Sequence, residues 1–135
     1  MKDHIKYSEG YKYQLREDYS QLVGIYPPQD IVEKFIILTR AGVLTVLAGY
    51  AWDGASGPTI DTASSMRGAL CHDACYQLMR DNKLCYTWKT KADEILRDTC
   101  IADGMWQWRA RRWFAAVQAF AGFAIHTPVE ILTAP

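Results

Sequence analysis

Between Gly49 and Ser65 the chain reads GYAWDGASGPTIDTASS, a stretch that can continue neither a strand nor a helix. Three glycines, a proline and several Asp, Ser and Thr residues favour turns, because each either frees the backbone or competes for its hydrogen bonds. This break divides two kinds of sequence. Before it, Tyr11–Leu15 is a short β candidate, and the runs Phe35–Thr39 and Val43–Leu47 flank Arg40-Ala41-Gly42, a hairpin signal with glycine at the tight position. Tyr26-Pro27-Pro28 interrupts the chain between them.

After the break the apolar period lengthens to that of helices. The first helix is expected from about Ser64 to Arg80, ended by Asp81-Asn82-Lys83. The second begins near Thr90, carries Ala92, Ile95, Leu96, Thr99 and Cys100 at helical spacing, and stops near Asp103-Gly104. In the third, Trp106, Ala110, Trp113, Phe114, Val117, Phe120, Ala121 and Ala124 form one wide stripe, with Pro128 beyond it. The expected class is therefore α+β: an N-terminal β-hairpin or small antiparallel sheet, then three helices. At 135 residues the chain makes one domain, with a β-rich part over 1–50, a loop over 51–63 and helices over 64–127.

Composition removes some functions. Fifteen basic and fifteen acidic side chains give a formal charge of zero, so no global field draws the chain to nucleic acid. The Met1-Lys2-Asp3-His4 start lacks the apolar run of a secretory signal, so secretion by that route is not expected. Without that signal, Cys71, Cys75, Cys85 and Cys100 read as reduced and mostly buried. No Cys-x-x-Cys pair favours zinc. The nearly apolar run from Trp113 to Ile125 is too short to span a bilayer. It reads first as a core helix with a solvated basic edge. An interfacial surface built on Trp106, Trp108 and the arginines, and a contact between copies, are the other readings.

The chemistry-bearing segment is CHDACY, Cys71 to Tyr76. On a helix, His72 and Tyr76 share a face one turn apart, while Asp73 projects about 100° round the axis. One side chain can thus activate a water while its neighbour fixes a metal. A neutral imidazole accepts a proton near pH 7, and does so better when a carboxylate orients its second nitrogen. Asp93, beside the apolar stripe of the second helix, is the candidate: an antiparallel helix pair would carry it across to His72 and Tyr76. Asp98 falls on the polar side. Asp53, at the mouth of the loop, adds a carboxylate next to a glycine that can turn its carbonyl inward, which suits the all-oxygen coordination of calcium. Asp61 is either a third anion or a helix cap.

The motif HDACY resembles the helix signature of secreted phospholipases A2, and most closely the small prokaryotic members of that superfamily. The resemblance implies a phospholipase A2-like helical core with His72 as general base, Asp93 as its partner and Tyr76 as a supporting hydrogen bond. It also implies Asp53, the Gly54 carbonyl and Asp73 as Ca2+ ligands. Over nearly its whole length the chain also resembles an uncharacterised bacteriophage and prophage family marked by Asp-x-Ala-Ser-x-Pro, His-Asp-x-x-Tyr and Ala-Asp. These stand here as DGASGP (Asp53–Pro58), HDACY (His72–Tyr76) and KADEIL (Lys91–Leu96). The paired cysteines before the histidine and the disulfide scaffold of the secreted enzymes are absent.

Two functions follow as expectations. One is a calcium-dependent acyl-ester hydrolase acting on phospholipid or a related ester, with Trp52, Trp106 and Trp108 at its membrane-facing rim. The other is a non-catalytic phage protein that binds a host or virion partner on the same scaffold. A transition-metal phosphohydrolase of the His-Asp type would need histidines upstream, where only His4 stands.

Overall fold

Seven short strands and three helices follow one another in a computed structural model that describes residues 4–8, 13–52 and 63–126. The strands are β1 (Tyr7–Ser8), β2 (Tyr13–Leu15), β3 (Tyr19–Leu22), β4 (Ile31–Val32), β5 (Ile36–Leu38), β6 (Val43–Val46) and β7 (Ala51–Trp52). The helices are α1 (Ala63–Arg80), α2 (Lys89–Ala102) and α3 (Gln107–His126). A single 3-10 turn, Tyr86–Trp88, leads into α2. The class is α+β, with small antiparallel sheets preceding the helices.

One sheet has the order β1-β2-β7 and the other β3-β6-β5-β4, with every pair antiparallel. The expected hairpin is β5–β6, in register Ile36↔Val46 and Leu38↔Leu44, and these four side chains are buried on one face as the two-residue period requires. Gly42 closes the turn at φ 86°, and a Cβ there would meet the Tyr26 ring at 2.8 Å, so both backbone and space demand glycine. Strands β1, β4 and β7, the last inside the expected 51–63 loop, are not in the sequence reading, and neither is β3. It pairs with β6 through Tyr19↔Val46 and Leu22↔Val43, burying Tyr19, while Ser20 and Thr45 bridge hydroxyls at 2.8 Å on the other face.

Helix α1 lies between two cores. Leu70, Ala74, Leu78 and Met79 join the sheet side chains Leu15, Tyr19, Ile36, Leu38, Leu44 and Val46. Ala69 packs instead with Leu96 and Cys100 of α2 and Ala110, Trp113 and Val117 of α3. A helix covered on both sides need not be amphipathic, and most side chains of α1 are buried, Ser65 and His72 among them. Gly68 permits the closest approach: a Cβ there would meet Cys100 Sγ at 2.8 Å and the Leu96 carbonyl at 3.1 Å. The helix ends where Asn82 takes φ 59° and the Asn82 and Lys83 N–H groups donate back to Met79 and Leu78 carbonyls at 3.1 and 2.9 Å.

The cysteines are free, with Cys71, Cys75 and Cys100 buried and Cys85 exposed. Burial pushes the Cys75 and Cys100 thiols up to about 12. No helix among the described residues is long and apolar enough to cross a membrane.

Candidate active site

Antiparallel packing of α1 on α2 brings His72 and Tyr76 against Asp93. The Asp93 side chain is 0% exposed, and a carboxylate without water must find its hydrogen bonds in the protein. Four donors meet it. His72 Nε2 lies 2.7 Å from Oδ1, and the Tyr76 hydroxyl donates to the same oxygen at 2.5 Å. Lys89 Nζ donates to Oδ2 at 2.9 Å, and Gln118 Nε2 of α3 donates to Oδ2 as well. Lys89 also reaches the Gln118 carbonyl at 3.3 Å, so the three helices meet at this one carboxylate.

The electrostatics follow from this geometry. Burial alone would raise the pKa of Asp93, but hydrogen bonds from His72, Tyr76 and Lys89 overcome it and hold the carboxyl below its ordinary value. Tyr76 is pushed well up, first by burial and then by its bond to Asp93, so it remains a neutral donor. His72 is 4% exposed, which disfavours its charge, yet Asp73 and Asp93 together outweigh that cost and raise its pKa. Its ring lies over Tyr76 with centroids 4.1 Å apart.

Asp73 stands as helical spacing expects, round the axis from the His72–Tyr76 face. Its Oδ1 is 3.7 Å from His72 Nδ1, beyond hydrogen-bond reach but close enough to act on its charge. The Asp73 side chain is 24% exposed, so the histidine has a buried carboxylate on one nitrogen and a partly solvated one near the other. In the neutral ring, Nε2–H donated to Asp93 leaves the lone pair on Nδ1, which is the tautomer a general base requires.

Of the other expected residues, Asp53 and Gly54 lie outside the described residues, as does Asp61. Among the described residues no three His, Cys, Asp or Glu side chains gather as a metal cage. Asp98 is solvated, its side chain 62% exposed beside Arg97. The expectation that Trp52 belongs to an exposed rim needs correction. At 2% exposure it is a core residue, its ring 5.8 Å from Tyr13 and 6.5 Å from Tyr50, because pairing of β7 with β2 turns it inward. Trp106 and Trp108 are exposed.

Lys89 and Gln118 are additions that sequence reading missed. Each left a signal. Lys89 precedes Asp93 by four residues, the spacing of a helical ion pair. Gln118 is the one amide side chain in the otherwise apolar run from Trp113 to Ile125, and a polar group on an apolar stripe needs a partner.

Compared with protein-family models, curated proteins and solved structures, the chain matches none.

Proposed function

We propose that the chain is a phospholipase A2-like, calcium-dependent acyl-ester hydrolase acting on phospholipid or a related ester. One observation carries this reading: a buried histidine whose Nε2 is held by Asp93 at 2.7 Å while its Nδ1 faces the side of Asp73. Nδ1 takes a proton from the water that attacks the ester carbonyl. Asp93 keeps the ring oriented and stabilises the imidazolium as it forms. Tyr76, Lys89 and Gln118 keep Asp93 from turning away.

The donor chemistry suits calcium as far as the described residues reach. Asp73 offers a hard, partly solvated oxygen one residue from the base, and Asp53 with the Gly54 carbonyl would complete the protein ligands. A calcium ion held there would supply positive charge for the lipid phosphate and for the developing oxyanion. The test is fatty-acid release from phospholipid vesicles in calcium by wild type, His72→Ala and His72→Gln. Loss of the base lowers the rate by about 10²–10⁴-fold. Equal release by wild type and by a folded His72 variant sinks the hydrolase.

A second reading, a non-catalytic phage or prophage protein that binds a host or virion partner, is favoured by the closure of the same network. A fully buried Asp93 and a 4% exposed His72 also suit a clamp between helices. Calorimetry with calcium separates the two. Heat of binding abolished by Asp73→Asn and Asp53→Asn supports the hydrolase, whereas an absence of heat supports the clamp.

A further inference from the structure

The turn that joins α1 to α2 borders a cavity that the His72 centre does not use. Its volume is about 380 Å³, within the roughly 300–1,000 Å³ of small-molecule sites. Met79 and Leu84, both buried, give it an apolar lining, and the exposed ring of Tyr86 stands beside them. Turns can offer backbone N–H groups to a ligand. Here those groups are spent, because Asn82, Lys83 and Leu84 donate to the Met79 and Leu78 carbonyls at 3.1, 2.9 and 3.1 Å. Recognition therefore falls to side chains, and the charged ones are all basic. Arg80 and Lys83 line the cavity and no acidic residue does; Asp81, between them in sequence, is not part of the lining. Arg80 makes no ion pair among the described residues. The C-terminus of α1 gives it a fraction of a charge to answer, which leaves its planar fork of donors unused. Lys83 reaches Glu33 only at 3.6 Å, with side chains 53% and 36% exposed, a pairing that solvent weakens nearly to nothing. Glu33 and Asp30 line the neighbouring cavity instead, so acids gather on one side of Lys83 and unanswered cations on the other.

We propose that this cavity binds a small aromatic oxyanion, its phosphate or carboxylate group on Arg80 and Lys83 and its ring against Tyr86. The arginine fork matches two oxygens of either group, and the lysine adds a mobile point charge. The apolar lining from Met79, Leu84 and Tyr86 takes a ring out of water, which gives an aromatic anion an affinity that a bare inorganic ion lacks. A nucleic-acid strand would need a longer basic track than two side chains provide. Met79 stands about 10 Å along α1 from His72, so this site is separate from the hydrolytic centre and does not depend on hydrolysis.

Cys85 provides the readout, because it lines the cavity and is the one exposed cysteine. Hydrogen bonds from Thr87 hold its thiol below the ordinary value, which favours alkylation near neutral pH. The experiment follows alkylation of the full chain by N-ethylmaleimide, an uncharged reagent, in phenyl phosphate, benzoate or inorganic phosphate at equal ionic strength. Phenyl phosphate or benzoate is expected to slow alkylation saturably, and inorganic phosphate to do so more weakly. Arg80→Gln should weaken the protection about 10- to 100-fold and Tyr86→Ala about 2- to 10-fold. An unchanged circular dichroism spectrum shows that these exposed substitutions leave the fold intact. No protection by either aromatic anion overturns the proposal. So does protection that inorganic phosphate gives equally, or that both variants leave unchanged. Fatty-acid release by the same variants is expected to stay at the wild-type level, so failure of this site and failure of the enzyme reading remain distinguishable.

Discussion

Asp93 has two oxygens and receives four donors, and its protonation would undo each of those bonds. Its folded pKa lies below the ordinary value of 3.8, so its contribution to stability is complete above that pH. That contribution is lost as pH falls through the lower folded value. Urea denaturation of wild type should therefore show a steep acid limb below about pH 4, and Asp93→Asn should flatten it. At neutral pH the same substitution leaves Lys89 without its counter-charge and trades a carboxylate acceptor for an amide at the centre of four donors, and should cost about 3–5 kcal/mol. An Asp93→Asn protein as stable as wild type at pH 7 would contradict the assignment of the network as buried and charged. The candidate pair of His72 and Asp93 was legible in the sequence because spacing and burial constrain a carboxylate on an apolar stripe. The full set of donors was not, since Gln118 stands 25 positions from Asp93 and only the crossing of α3 delivers it.

At the scale of elements, the contact of α1 with α2 turns on a missing side chain. Gly68→Ala would place a methyl carbon within 2.8 Å of Cys100 Sγ, and either the sulfur or the helix must shift. Overpacking of this kind costs about 1–3 kcal/mol, so a lower urea midpoint at unchanged slope is the expected result. Pairing it with Cys100→Ala, which removes the obstructing sulfur, should recover part of the loss, whereas strictly additive costs would place the clash elsewhere. The helices were readable to within a residue or two at most ends, because their apolar spacing, their turn residues and the glycine at 104 act locally. Strand β3 was not. Tyr19-Ser20-Gln21-Leu22 looks polar, and it is a strand because β6 offers it an edge and Tyr19 a place in the core.

Across the molecule, a second polar chain ties the sheets to the helices. Arg67 donates twice to Asp103, at 2.7 and 3.0 Å, and once to the Tyr19 hydroxyl at 2.9 Å. The Tyr19 hydroxyl donates in turn to Gln21 Oε1 at 2.7 Å, and Gln21 Nε2 donates to the Thr99 hydroxyl at 3.0 Å. Strand β3, helix α1 and the end of α2 thus share one network, apart from the His72 site. Arg67→Met keeps much of the side-chain volume but removes the guanidinium that Asp103 and Tyr19 share, and should cost about 2–3 kcal/mol. Thermal unfolding checks it, and a melting temperature equal to that of wild type would show the network to be incidental. The sequence by itself determined that a β-rich half precedes three helices, that His72 and Tyr76 share a face and that Asp73 projects in a separate direction. All of these follow from backbone geometry within one segment. The tertiary structure decided which helix faces meet, that Lys89 and Gln118 complete the Asp93 site, and that Trp52 turns inward while Trp106 and Trp108 face out. Those outcomes depend on crossing angles and strand register, which sum many weak contacts between distant segments and leave no periodic trace in any one of them.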